Sequence, residues 1–393
     1  MSLSTTISSE LSRKPRICMP TFSAFARNAF RAGLYEAQDI LAACDDVDVI
    51  HLKPSKGFAA KARWVRRFAY HNVSHMLTSL NPGLLPVRLT RDYDLFMLVC
   101  PLWSDVWYAN AVQGWQDHCR TSICWIDELW LHEVPELKYW LLPILSKFDH
   151  VIIGTIGSGK PLNDALGHPC HEMLGGVDSI RFSPYPKSPE RVIDFYSVGR
   201  RLERIHRCLL KWAGDKKAFY VHDTLDNSGD RETLDHRQHR DLYANIAKRS
   251  RFFGVAPGKV NTLEGRQGQG DIGFRYFEGS AAGTVLVGQP PGGCDLFRLH
   301  FDWPHSVIET QSDGSDTVEV ISKLSAEPER IHEISCRNAE EALRRHDWVY
   351  RWKEILGIAG LNPRPAMDTR EKRLAELADV AKLDREKVRG VHR

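Results

Sequence analysis

GFRYFEGSAAGTVLVG, residues 273–288, is the stretch on which the reading of the fold turns. Arg275 and Glu278 stand three apart, so on a helix they share one face. Ala281, Ala282 and Gly283 end that helix, and Gly283 can take the left-handed cap conformation. Thr284-Val285-Leu286-Val287 follows as a short buried strand. A glutamate near a helix start, beside backbone N–H groups and an arginine, suits a ligand carrying both hydroxyls and phosphates. The carboxylate accepts from sugar hydroxyls, while the arginine and the positive helix end meet phosphate charge.

Upstream, the same alternation repeats. Residues 1–14 read as a disordered lead, and Arg16-Ile17-Cys18-Met19 as a strand. Phe22, Phe25, Ala26, Ala29, Phe30, Leu34, Ala37, Ile40 and Leu41 then fall at helical spacing. Strands follow at Val47 to Leu52, Asp94 to Cys100, Ser122 to Ile126 and His150 to Gly154, with a helix expected over 103–118. Near-continuous apolar strands separated by helices predict a doubly wound parallel sheet. After the proline-rich run 182–189 a second set begins: Val192 to Ser197, Phe219 to Val221, a helix over 241–250, Arg251 to Val255, and then the opening segment. The expected class is α/β, with two Rossmann-like doubly wound domains facing across a cleft.

Composition bounds the answer. A chain of 393 residues is long enough for two ordinary domains. Its 42% hydrophobic and 26% charged content is that of a globular protein. A net charge of +3 gives no general case for nucleic-acid binding. Nine scattered cysteines, an odd number, read as reduced buried thiols of a cytoplasmic protein rather than a disulfide framework. The polar N-terminus has no apolar h-region, and no run of about 18 apolar residues predicts a membrane span.

The segment 273–288 resembles the donor-binding segment of GT-B glycosyltransferases, the group 1, family-4-like enzymes. Two further stretches carry the resemblance. Gly175-Gly176-Val177-Asp178 through Phe182-Ser183-Pro184 is similar to the signature bridging that family's domains, and Val198-Gly199-Arg200 to the turn after its first C-terminal strand. The pattern departs in three places. Gly270, with Asp271 beside it, stands where the family has an upstream glutamate. No lysine follows the Val-Gly-Arg turn within about six residues, leaving Arg204, His206 or Arg207 in its place. The first turn reads Pro20-Thr21-Phe22-Ser23 instead of Gly-Gly.

The resemblance implies an N-terminal acceptor-side domain over 15–183, a linker at 184–189 and a nucleotide-sugar domain over 190–337. A helix over 338–360 would pack back toward the first domain, and 361–393 would form a charged helical tail, read as solvated. It implies a hexosyltransferase moving sugar from a nucleotide-diphosphate donor to an acceptor hydroxyl, retaining and without metal or other cofactor. Glu278 would bind the ribose, with Arg275, Gly199, Gly283 and Thr284 completing the donor site. Arg200 and Arg201, with Arg275, would stabilise the leaving diphosphate. Asp127 and Glu128, ending a strand, would position or deprotonate the acceptor; as a helix cap and first-turn acid they read equally well. The acceptor, a glycan, a lipid-linked glycan or a small molecule, stays open, within polysaccharide or glycoconjugate synthesis. The alternatives are a catalytically impaired nucleotide-sugar-binding protein or a sugar-nucleotide epimerase on the same fold.

Other motifs compete less well. Gly154-Thr155-Ile156-Gly157-Ser158-Gly159-Lys160 has P-loop spacing, but Pro161 stands where a magnesium-binding hydroxyl is needed. His132-Glu133 lacks the second histidine of a zincin helix. His168, Cys170 and His171 lack a matching second pair of ligands, and His236 and His239 read as solvated. Lys53 to Arg67 interleaves basic residues with Phe58 and Trp64, which suits peripheral contact with the anionic inner face of a membrane, or a solvated basic helix.

Overall fold

The computed structural model describes residues 14–70, 78–130, 141–199, 202–224, 232–258, 269, 271–291 and 295–390. The first sheet is built from β1 (Ile17–Thr21), β2 (Val47–His51), β3 (Tyr93–Leu102), β4 (Cys119–Glu128), β5 (His150–Ile153) and β6 (Cys170–Glu172). All pair in parallel, in the order β2-β1-β3-β4-β5-β6. The second sheet holds β7 (Ile193–Ser197), β8 (Tyr220–His222), β9 (Ser250–Val255), β10 (Val285–Gly288) and β11 (Ile308–Glu309). It is also parallel, in the order β8-β7-β9-β10-β11. Both orders are doubly wound, so ligands are expected beyond the carboxyl ends of the strands.

Side-chain alternation along β3 explains why its run is apolar throughout. Phe96, Leu98 and Cys100 face one core with Trp115 and Phe148. Leu95, Met97 and Val99 face the other, against Leu34, Ala37 and Leu41 of α1 (Ala32–Cys44). The helix expected over 103–118 is divided: a 3-10 stretch runs Trp103–Ala111, and a short helix Trp115–His118 restarts after Gly114, whose φ is +79°. The basic segment forms α2 (Phe58–Tyr70), and α3 spans Gly159–Leu166.

In the second domain, α4 (Glu203–Lys216) and α7 (Thr317–Ser325) cover one sheet face through Leu209, Ile321 and Leu324. The other face receives α5 (His236–Lys248) and α6 (Phe274–Ala281) through Tyr243, Ala247, Tyr276 and Phe277. Three helices follow, α8 (Pro328–Arg345), α9 (Trp348–Ile358) and α10 (Pro365–Gly390).

Two features tie the domains. The lead-in 175–178 runs against the α8–α9 hinge, where Val177 N donates to His346 O at 3.0 Å and Trp348 N donates to Val177 O at 3.1 Å. A Cβ at Gly175 would stand 2.8 Å from Phe274, and one at Gly176 2.9 Å from Trp348, so the paired glycines are a packing requirement. The terminal helices α9 and α10 lie across the first-domain sheet, burying Trp348, Trp352, Met367, Leu374, Leu377 and Ala378 beside Trp125. The expectation of a solvated tail is therefore corrected. The charges of α10 alternate around a buried stripe, and Arg370 reaches Asp178 and Asp347 at 2.6 and 2.7 Å. Cysteines among the described residues are free, and among those residues no helix is long and apolar enough to cross a membrane.

Candidate functional site at the carboxyl ends of two sheets

The segment 273–288 folds as its pattern predicts: α6, then Gly283 at φ +62°, then β10. The functional reading divides along it. Arg275, in the first turn of α6, donates to Val198 O at 3.2 Å, at the carboxyl end of β7. It lines a cavity of about 50 Å³ with Ser197, Leu202, His206, Tyr220 and Val255. That volume is far below the ~300 Å³ of an ordinary ligand pocket, so the space takes a small group rather than a nucleoside. Gly199 follows at φ +72°, with open space where a Cβ would stand, and its N–H donates to Asp223 at 2.6 Å. Arg200, Arg201 and Gly270 lie outside the described residues. Of the substitutes for the missing lysine, Arg204 pairs with Asp313, Arg207 with Glu203, and His206 is buried against the Tyr220 hydroxyl at 3.0 Å.

Gly283 and Thr284 lie at the amino end of β10, away from the cleft. Gly283 N closes the helix on Ser280 O, and the Thr284 hydroxyl donates to Gly279 O at 2.9 Å. Arg191 donates to both Ala282 O and Gly283 O. At these two residues the backbone closes the end of α6 and packs under α8, where a Cβ on Gly283 would stand 3.1 Å from Ser335 O.

Glu278 is 4% exposed and faces the seam between the domains. Its carboxylate accepts from the Tyr243 hydroxyl at 2.7 Å and from Arg240 Nη1. Arg240 in turn reaches Glu36, in α1 of the first domain. Burial acts to lower the Arg240 pKa, but the charges of Glu36 and then Glu278 outweigh it and hold the guanidinium ionised. Glu36 also accepts from Asp178 N at 2.9 Å, Arg181 at 3.0 Å and the Trp348 indole at 3.2 Å. Sequence reasoning missed Glu36. Its signal was a lone acid inside a buried stripe, one turn before Ile40 and one after Ala32. His236, read as solvated, also bridges the domains, to Asp39 at 2.9 Å.

Across the seam, Asp127 and Glu128 end β4 as expected. Burial first, then the charges of Asp271 and Glu128, push the Asp127 carboxyl well above the usual carboxylate range. Asp271 belongs to the second domain, just before α6, so carboxyl ends of the two sheets meet here. Glu128 accepts from the Trp130 indole at 2.7 Å, which orients it. A Cβ at Gly154 would come 2.5 Å from Asp127 O, so only glycine lets β5 end so close to Asp127.

The glycine-rich turn after β5 does cradle an anion, but one of its own. The Glu172 carboxylate accepts from Gly157 N at 2.9 Å and Gly159 N at 2.8 Å. Gln269 of the second domain closes over it, donating to Ser158 Oγ at 2.7 Å. His132 and Glu133 lie outside the described residues. His171 Nε2 stands 3.4 Å from His150 Nδ1, while Cys170 turns to the His168 carbonyl. In α2, Trp64 is 58% exposed.

Residues 190–357, fewer than half of the chain, match a family described as glycosyl transferase-like. No curated protein matches the chain. Among solved structures, a putative UDP-N-acetylglucosamine 2-epimerase from Listeria monocytogenes is 9% identical, with TM-score 0.47, covering 89% of this chain and 98% of that one. A glycosyltransferase from Rickettsia africae is 11% identical, with TM-score 0.44, covering 88% and 98%. A UDP-GlcNAc 2-epimerase from Methanocaldococcus jannaschii, solved with UDP-GlcNAc and UDP, is 7% identical, with TM-score 0.39, covering 78% and 91%.

Proposed function

We propose that the chain transfers a sugar from a nucleotide diphosphate to an acceptor hydroxyl; in support, residues 190–357 match a glycosyl transferase-like family, and the fold is one of two Rossmann-like domains. The observation that supports this most is convergence. The start of α4 and the start of α6 with Arg275 meet beyond the carboxyl ends of β7, β9 and β10. Two positive helix ends and a guanidinium suit a diphosphate without help from a cation. Arg200 and Arg201 adjoin that turn in sequence and are proposed to share its charge.

Asp127 is the proposed acid–base group on the acceptor side. In the transfer, the bond from the anomeric carbon to the diphosphate oxygen breaks, and its electron pair leaves with the diphosphate. The acceptor oxygen bonds to that carbon, and its proton passes to Asp127 or to the departing oxygen. Retention of configuration follows the family resemblance. Glu278 is proposed to act at the ribose end through the lone pairs that Arg240 and Tyr243 leave free. The basic α2, with Trp64, suits peripheral contact with an anionic membrane that would carry a lipid-linked acceptor.

A thermal-shift panel of uridine, guanosine, thymidine and adenosine diphosphate sugars tests the reading. One base should raise the melting temperature, since a ligand that binds the native state stabilises it. Incubation of that donor with acceptors should release nucleoside diphosphate. A donor recovered with an inverted sugar centre assigns an epimerase instead, and no response to any donor removes the proposal.

A further inference from the structure

We propose that His332 Nε2, Cys336 Sγ and Asp384 Oδ2 form a binding site for a single zinc-class divalent cation, remote from the cleft and independent of the transferase reading. His332 and Cys336 are four apart on α8 and so share a face; Asp384 comes from α10. Their three ligand atoms lie within 4.8 Å of one another. The triangle has edges of 3.4 Å (Sγ to Nε2), 3.8 Å (Sγ to Oδ2) and 3.8 Å (Nε2 to Oδ2). Zinc bonds of ~2.3 Å to sulfur and ~2.0–2.2 Å to nitrogen and oxygen, at tetrahedral angles, need edges of roughly 3.4–3.6 Å. The side chains therefore stand within a few tenths of an ångström of a zinc face before any ion enters.

The donor set narrows the ion. One thiolate, one imidazole and one carboxylate suit zinc over magnesium or calcium, which prefer oxygen throughout. Cys336 is buried, while His332 and Asp384 are part-exposed, so the ion has a route in and a solvent side for a water ligand. The Tyr185 hydroxyl, from the linker, lies 3.1 Å from Asp384 Oδ2 and 3.2 Å from Sγ, and orients the carboxylate from outside. Binding breaks the S–H bond and forms the S–metal bond, with the proton leaving to solvent. The ion would pin α10, which spans both domains, to α8 and the linker, which makes the site structural rather than catalytic.

Cobalt titration of the full-length, chelator-treated protein tests this. One equivalent should bind with a sulfur-to-cobalt charge-transfer band and tetrahedral ligand-field bands, and zinc should displace it. Zinc should raise the melting temperature by on the order of 2 °C per tenfold concentration above Kd. Cys336→Ser should abolish the charge-transfer band. The part-exposed variants His332→Ala and Asp384→Asn should keep the fold by circular dichroism and each weaken cobalt binding by more than ~10-fold. His171→Ala should change nothing. Absence of the band, binding that survives both part-exposed substitutions, or binding lost with His171 each overturns the assignment.

Discussion

Arg240 Nε and Nη2 meet the two carboxylate oxygens of Glu36 at 3.0 Å each, so one guanidinium of the second domain grips one carboxylate of the first, fork to fork. Both side chains are almost wholly buried. With Nη1 on Glu278, the same arginine joins the domain seam to α6, the helix whose first turn carries Arg275. This desolvated charge group thus adds a direct link between α1 of the first domain and α6 of the second, beside the hinge at Val177 and the helices α9 and α10.

Removing one partner should be costly, because each survivor stays buried with part of its pairing gone: Arg240 would keep Glu278 but not Glu36, and Glu36 would keep Arg181 but lose the two-pronged contact. Glu36→Ala or Arg240→Ala is expected to lower unfolding stability by about 3–5 kcal/mol. Urea denaturation measures it, and a loss below about 1 kcal/mol would mean that water replaces the partner.

Asp127 should make stability fall with rising pH. Its folded pKa lies above its unfolded one, so its contribution is complete below the ordinary carboxylate value of ~4 and is lost as pH climbs through the folded value. Asp127→Asn stays neutral, so the variant should gain on the wild type as pH rises above the ordinary carboxylate value of ~4. Parallel stability curves above that value would contradict the burial argument. If Asp127 handles the acceptor proton, turnover should also drop by roughly 10²–10⁴.

Arg275→Ala should weaken nucleotide-sugar binding by about tenfold or more, through loss of a charge-assisted contact, with the melting temperature little changed. Calorimetry reads the affinity, and an unaltered Kd removes Arg275 from the site.

Gly283→Ala should separate packing from binding. The φ of +62° strains any side chain, and the new Cβ would lie 3.1 Å from Ser335 O and 3.0 Å from Arg191 Nη2. A stability loss of about 1–2 kcal/mol is expected, with donor affinity unchanged. A selective loss of affinity would return this glycine to the ligand.

Charge reversal on α2, Lys61→Glu with Arg63→Glu, should reduce sedimentation with phosphatidylserine vesicles by more than about tenfold, at ~1 kcal/mol per basic residue. Equal binding by both proteins would leave α2 a solvated helix.

The sequence alone determined the central strands, the helix-to-strand turn at Gly283 and the two doubly wound sheets, but not the short edge strands β6 and β11. What it determined follows from apolar periodicity and turn chemistry, which act between residues a few positions apart. It also placed Asp127 at the end of a strand, where parallel sheets collect ligands, and Arg275 on the helix that precedes the strand at 285–288. It misjudged α10, because its charges outnumber a buried stripe whose partner, the first-domain sheet, lies more than 200 residues away. The structure alone decided what Glu278 touches. Its partner Arg240 also holds Glu36, 204 residues distant in the chain, and a pairing at that separation is set by how two cores pack, a relation that no local pattern of residues encodes.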